Sequence, residues 1–460
     1  MPFARSSDAW PASPPAVRPV KTKFPAGPHS SGLRVAPFRF EVTPPLGHPC
    51  CGGLIKPVEV VDDALEAVGV VLLGSSQPIV LCAVDWTGLL NGAHVAWRTA
   101  LAQAAGTTAD RVAVHCVHQH NAPFACLETE RIVSGSGDLP HLLDPEFFNR
   151  CLEQARTAVA QALPRARPVT HVGSGQGRVE GVASNRRVYR DDAGRVITMR
   201  GSACKDPSLV ALPEGLVDPW CRSVVFFDGE AKVAALHYYA THPMSYYADG
   251  RVTSDFAGLA RKQRQRDEPD CQHLYFTGCA GNIAAGKYND GSVARRPILT
   301  QRVLDGLVAS EANLQRFPVE AWTWKTTEIL PPPQASLAAD ALVRQVADRS
   351  GTVPDRVRAA YRLAWLHRVE QKIPIVLSCL HVGGVRLLHL PGEAFIEYQL
   401  RAQHLQPDTF VCTAAYGDGG TWYIPVKEEY PNGGYEVSVA FCDPVIDEIL
   451  TAGMRQILAG

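Results

Sequence analysis

The sequence holds no run of about 18 apolar residues, the length a membrane-spanning helix needs, so no such span is expected. Its first residues, Met1-Pro2-Phe3-Ala4-Arg5-Ser6-Ser7, lack the apolar stretch of a secretory signal. Neither charge sign is in excess. With 45 basic and 46 acidic residues and no basic stripe, the chain is expected to bind neither nucleic acid nor an anionic membrane surface. There is no Cys-x-x-Cys pair and no Asn-x-Ser/Thr acceptor. The 13 cysteines are odd in number and scattered apart from Cys50-Cys51, unlike a disulfide framework. They read as reduced, mostly buried thiols, and the expected location is the cytoplasm.

What is present is ordinary for a large folded chain: 460 residues, 46% hydrophobic and 20% charged. Residues 1–33, rich in Pro, Ser, Ala and Gly, read as a flexible tail. Residues 34–460 show no clear linker and no internal repeat, which favours one large domain. Apolar strand-like runs alternate with helical patterns throughout, so an α/β fold is expected, a mixed β-sheet core flanked by helices. Hairpins are expected around Gly74-Ser75-Ser76, Asp228-Gly229 and Gly383-Gly384. Helices are expected over 93–105, 145–163, 256–266 and 393–405, with a closing helix over 443–458 and a helical hairpin over 336–369. Gly173-Ser174-Gly175-Gln176-Gly177 reads as a turn, because it opens no convincing helix.

Several strand candidates end in polar, Gly- or Pro-containing loops: His118-Gln119-His120-Asn121-Ala122-Pro123, Thr241-His242-Pro243, Gly278-Cys279-Ala280-Gly281-Asn282, Pro391-Gly392-Glu393 and Tyr416-Gly417-Asp418-Gly419-Gly420. Ligand sites of α/β sheets lie outside the carboxyl ends of strands, so these tips converge if the strands share a sheet. Period two along a strand would put His118 and His120 on one face, aimed at one ion or substrate. Imidazole suits zinc, and a carboxylate such as Glu393 can add an oxygen ligand. The same residues also allow a plainer account. His118, His120 and His242 would then be hydrogen-bonded core or surface residues, and Glu393 would be favoured at a helix start by the helix dipole. His115, His237, His381 and His389 alternate with apolar residues and read as core residues. Asp85 ends a strand without an identifiable partner.

Taken in order, the loops resemble the catalytic domain of the neutral (alkaline, non-lysosomal) ceramidase family, from about Val35 to Ala440. Thr43-Pro44-Pro45-Leu46-Gly47 is similar to that family's opening segment, and His118–Pro123 to its His-x-His-Ser-Gly-Pro loop. Asn185-Arg186 resembles its Asn-Arg pair, His242-Pro243 its second histidine loop, and Val252–Asp255 the Val-Ser-Ser-Asp that follows. Leu390–Glu393 resembles its Pro-Gly-Glu, Tyr416–Tyr430 its long tyrosine-rich segment, and Tyr435-Glu436 its Tyr-Glu. The resemblance implies a zinc ion held by His118, His242, Glu393 and Tyr423. It also implies that His120, Arg186 and Tyr435 contact the substrate's polar groups or the developing oxyanion. Two imidazoles, a carboxylate and a phenolate are four N/O ligands, a set zinc accepts.

Two departures shape the expectation. The family's Ala-Gly-Asn-x-Ser-Pro loop reads Ala280-Gly281-Asn282-Ile283-Ala284-Ala285, so its serine is Ala284, and the 460 residues hold no counterpart of the ceramidase C-terminal β-sandwich. A cytosolic relative acting on a smaller, more polar molecule is therefore expected: a zinc-dependent hydrolase of an amide or related carbonyl bond, working through metal-bound water. The alternatives are a zinc-dependent lyase or isomerase that removes a proton next to a carbonyl, and a non-catalytic metal-binding relative. Pocket walls are expected from loops such as 127–143 and 287–297. Oligomeric state is not legible.

Overall fold

The computed structural model describes residues 32–74 and 77–459. The expected tail thus lies, up to residue 31, outside the described residues, as do Ser75 and Ser76 of the first hairpin turn. Leu33 already belongs to the fold: it is buried, and its carbonyl accepts from Val169 N at 2.8 Å.

The strands form three principal sheets instead of one. The first contains β1 (Arg34–Glu41), β2 (Glu66–Leu73), β3 (Ile79–Val84) and β4 (Val112–Cys116). Adjacent strands are antiparallel from β1 to β3, and β4 lies parallel to β3. A parallel neighbour needs a crossover, supplied here by helix α1 (Gly92–Ala105). Helix α2 (Pro145–Ala162) then packs back near β1; Asp144 caps it by accepting from Glu146 N and Phe147 N, with Pro145 in its first turn.

The second sheet repeats this plan with β5 (His171–Arg178), β6 (Trp220–Asp228), β7 (Ala231–Tyr239) and β8 (Gln272–Thr277), the crossover α3 (Asp255–Asp267), and α4 (Arg295–Ala312) packing back. A further strand, β9 (Gln315–Pro318), extends its β5 edge. The third sheet has β10 (Trp322–Ile329), then a helical excursion ending in α5 (Val353–Glu370). It continues with β11 (Ile375–Val382), β12 (Val385–His389), the crossover α6 (Ile396–Leu405), β13 (Phe410–Ala414) and α7 (Ile446–Leu458). Each unit therefore runs strand, excursion, hairpin, crossover helix, parallel edge strand, returning helix. The expectation of no internal repeat is corrected at the level of topology: excursions of different content hide the period in the sequence.

The three sheets share an inner core to which Val70 and Leu81, Leu236 and Phe276, and Leu387 and Cys412 all contribute. The alternate residues of β2 and β3, such as Val71 and Val80, face the helix-covered outer core. A strand buried on both faces reads as a continuous apolar run, as Ile79–Val84 does.

Two further expectations are corrected. The glycine-rich segment 173–177 is not a turn. It is the middle of β5, and its glycines let α4 lie directly on the strand. A Cβ at Gly175 would collide with the Ser310 carbonyl oxygen, and one at Gly177 with the Gly306 carbonyl oxygen and Ser310 N. Glu393 does not start a helix. It sits with Ala394 in a two-residue strand parallel to Tyr423–Ile424, and α6 begins at Ile396. The helix-dipole account of Glu393 therefore lapses.

Because backbone faces backbone at Gly177, Gly177→Ala is expected to destabilise by about 1–3 kcal/mol. Gly135→Ala, in the helix Leu127–Ser136 with nothing within 4 Å of the added carbon, is expected to stabilise by about 0.5–1 kcal/mol. Denaturant midpoints of the two variants check both signs.

Candidate metal centre

The parallel edge strands β4, β8 and β13 meet at their carboxyl ends. Cys116 N donates to Tyr416 O at 2.9 Å and Ala415 N to Thr277 O at 2.9 Å. The Thr277 hydroxyl donates to Val117 O at 2.7 Å. The loops that follow are thereby gathered over one point although the strands belong to different sheets.

His118 follows β4, His242 follows β7 and Glu393 follows β12, one residue from each unit. His118 Nε2 lies 3.3 Å from His242 Nε2. Glu393 Oε2 lies 3.1 Å from each of the two. His118 Nδ1 donates to Thr87 O at 2.7 Å, and His242 Nδ1 to Ala280 O at 2.7 Å. A carbonyl can only accept, so both protons sit on Nδ1 and both Nε2 lone pairs point inward. Two lone pairs and a carboxylate oxygen aimed at one buried point repel one another unless a cation lies among them. Tetrahedral zinc with ligands at about 2.0–2.1 Å spaces them about 3.3 Å apart, close to the separations here. The donor set fits a metal ion.

The surroundings hold these groups in place. Burial pushes the Glu393 carboxyl up, but His118 and His242 pull it down by more, and it ends well below the carboxylate range. Burial lowers His242 below the usual imidazole value. The Tyr416 ring stacks on His118 with centroids 4.2 Å apart. His118, Tyr416 and Trp422 all have positive φ, at 77°, 60° and 55°. Such strain costs about 1–3 kcal/mol per residue and persists only where the surroundings enforce it. His118 thus points at the centre through a left-handed turn beyond the strand end, not through the two-residue strand period expected.

The remaining expected residues surround this triad. The Tyr423 hydroxyl lies 3.4 Å from His242 Nε2 and accepts from Arg186 at 3.2 Å. Burial, joined by Glu393, raises this phenol well above its ordinary value. Burial lowers Arg186, while Tyr423 and Glu436 raise it by more, so the guanidinium stays charged. The Arg186 guanidinium carbon lies 5.6 Å from the centre of the Tyr435 ring. The His120 ring stands 4.9 Å from that of His118, and its Nδ1 donates to His118 O at 3.2 Å, so it flanks the triad without joining it. Burial holds His120 well below the usual imidazole value.

These groups line a cavity of about 560 Å³. Its walls correct the expected loops: they come from Cys51–Ile55, Gly201–Ala203, Arg358 on α5, and Tyr435, not from 127–143 or 287–297. Ala284 is fully buried in a two-residue pairing with Ser184 and does not line the cavity. Asp85 has a partner after all, Arg261 at 3.1 Å. His115 and His381 are core residues bonded to the carbonyls of Ala415 and Ile457, at 2.7 Å and 2.6 Å. His237 pairs with Ser223 at 2.6 Å and His389 faces Ser378 at 3.3 Å, both buried. All 13 cysteines are free thiols, buried except Cys51 and Cys204.

Sequence reasoning missed the parts that position the site. Thr87, whose carbonyl orients His118, has no signal in the chain. The buried Asp418–Arg368 pair, at 2.6 Å, ties the loop between Tyr416 and Tyr423 to α5. The other Asp418 oxygen accepts from Asn91 N at 3.0 Å, at the start of α1.

Two solved structures share this fold. A ceramidase complexed with C2 is 14% identical, with a TM-score of 0.69 over 93% of this chain and 75% of that one. The neutral ceramidase from Pseudomonas aeruginosa is also 14% identical, with a TM-score of 0.66 over 93% and 73%. No family model matches the chain, and no curated protein sequence does. Among the described residues no helix is long and apolar enough to cross a membrane.

Removing Asp418 strands the buried Arg368 charge, so Asp418→Ala is expected to cost about 3–5 kcal/mol in denaturant unfolding. Burial raises the Asp418 carboxyl, but Arg368 and His94 lower it by more, to a net value below that of an ordinary aspartate. Its stabilisation is therefore complete above the unfolded value of about 3.9 and is lost as pH falls through the depressed folded one. The melting-temperature gap between wild type and Asp418→Asn should accordingly narrow in melts taken below about pH 4.

Proposed function

We propose that residues 34–460 are the catalytic domain of a zinc-dependent hydrolase that cleaves an amide or related carbonyl bond of a small polar substrate. The carrying observation is the buried convergence of His118 Nε2, His242 Nε2 and Glu393 Oε2 within 3.1–3.3 Å, each imidazole back-bonded through Nδ1. His118, His242 and Glu393 would hold the ion, with Tyr423 as the fourth ligand. A bound zinc ion supplies a Lewis acid and a water whose pKa falls to about 7, chemistry that needs no serine at position 284. The shared fold of two ceramidases supports a hydrolase of amides. The buried alanine at 284 and the cavity volume of about 560 Å³ support a substrate smaller than ceramide.

The chain's own groups then divide the work. His120, whose ring lines the cavity beside the triad, exchanges a proton with the attacking or leaving group. Arg186 carries a permanent charge beside the Tyr423 hydroxyl, where it can stabilise negative charge growing on the carbonyl oxygen, and Tyr435 adds a hydroxyl from the cavity mouth. Glu436, fully buried and 3.5 Å from Arg186, sets a negative charge beside that guanidinium.

Metal analysis of the purified protein should find about one zinc per chain, lost in His118→Ala and in His242→Ala. Unchanged metal content in both variants would refute the assignment. The zinc-loaded protein should also hydrolyse at least one member of an amide and ester library, with His120→Ala slowed by about 10²–10⁴-fold in kcat. A library with no turnover would remove the hydrolase reading.

A further inference from the structure

We propose that the substrate carries an anionic group, a carboxylate or a phosphate, and that Arg358 at the cavity wall receives it. This rests on the reading above, in which the cavity is the active site.

Helix α5 carries both Arg358 and Tyr361. The Tyr361 ring packs on Phe124 and Trp422, with centroids 5.6 Å and 5.4 Å away. Both of those residues line the cavity. Arg358 lies one turn before Tyr361 on the same helix face, and so it too is brought to the cavity wall. Arg362, one turn further along, donates to Ser438 O at 3.2 Å, in the short helix that carries Tyr435. Two arginines thus lie one turn apart on α5, the second of them bonded to the Tyr435 segment.

This charge is poorly matched by the protein. The ion pair of Arg358 is a 3.4 Å contact with Asp355, whose side chain is 53% exposed. Asp355 already accepts from the Thr352 hydroxyl at 2.6 Å. Among the described residues, Glu393 is the one carboxylate lining the cavity, and both histidines hold it. Arg186 lies between the Tyr423 hydroxyl at 3.2 Å and the buried Glu436 at 3.5 Å, and is assigned above to the carbonyl oxygen. Arg358 is therefore a weakly paired positive charge on the cavity wall, with Arg362 one turn further along the same helix. A guanidinium with free donors, partly shielded from water, favours planar or tetrahedral oxyanions. The neutral headgroup of a ceramide would leave that charge unanswered.

The test uses matched isosteres: N-acetyl ω-amino acids with two to six carbons between amide and carboxylate, and the same compounds with the carboxylate replaced by a carboxamide. Binding to the zinc-loaded protein is measured by calorimetry, and hydrolysis by amine release. At least one chain length is expected to bind at least about tenfold more tightly as the carboxylate. Arg358→Gln should abolish that preference, Arg358→Lys should restore part of it, and added salt should weaken it. The side chain of Arg358 is 40% exposed with one weak partner, so the variants are expected to fold, checked by unchanged melting. Equal binding of carboxylate and carboxamide at every length, or a preference unchanged in Arg358→Gln, overturns the inference. A carboxylate preference that depends on Arg358, without hydrolysis of any compound, removes the hydrolase reading and leaves the anion site standing.

Discussion

Everything in this site depends on the junction of three strand ends. β4, β8 and β13 are edge strands of different sheets, each with backbone donors and acceptors to satisfy. They satisfy one another, Cys116 with Tyr416 and Ala415 with Thr277, and the Thr277 hydroxyl closes the set on Val117. A buried edge without partners would cost the desolvation of several peptide groups. The bonds that meet this need also fix where the following loops begin. Those loops carry His118 and Tyr416, and the backbone carbonyl that orients His242.

The threefold plan gives the junction its chemistry. One unit contributes His118, the next His242, the third Glu393, so no single unit holds a site. The donors are kept together against mutual repulsion by bonds made behind them: Nδ1 of each imidazole to a main-chain carbonyl, and Glu393 N to Trp422 O at 2.9 Å. The positive φ values of His118, Tyr416 and Trp422 are stored strain of the kind rigid surroundings can maintain. The Asp418–Arg368 pair belongs to that rigidity. It joins the loop of the third unit to the first turn of α1 in the first, and it is buried, so both partners are needed or neither is tolerated.

Much of the secondary structure was legible. Hairpins at Asp228-Gly229 and Gly383-Gly384 follow from turn chemistry between apolar runs, and α2 from the amphipathic pattern that starts at Pro145. The failures share a cause. Gly173–Gly177 carries turn residues, yet it is a strand because a helix must lie against it, and nothing in the segment itself reports a neighbour more than a hundred residues away. Glu393 looked like a helix start because α6 begins three residues later; its strand pairing is with Tyr423, distant in sequence. Asp85 looked unpartnered because Arg261 lies far along the chain.

The sequence by itself determined that the chain is an α/β protein whose strand-end loops carry His118, His242 and Glu393, because hydrophobic period and turn residues are local properties. It also showed that position 284 offers no hydroxyl. Only the tertiary structure decided that these loops meet across three sheets, that the His120 ring flanks the triad without joining it, and that Arg358 lines the same cavity. Those are properties of contacts between residues far apart in the chain. They are set by how edge strands satisfy their peptide groups and how helices cover apolar faces, and no local pattern encodes them.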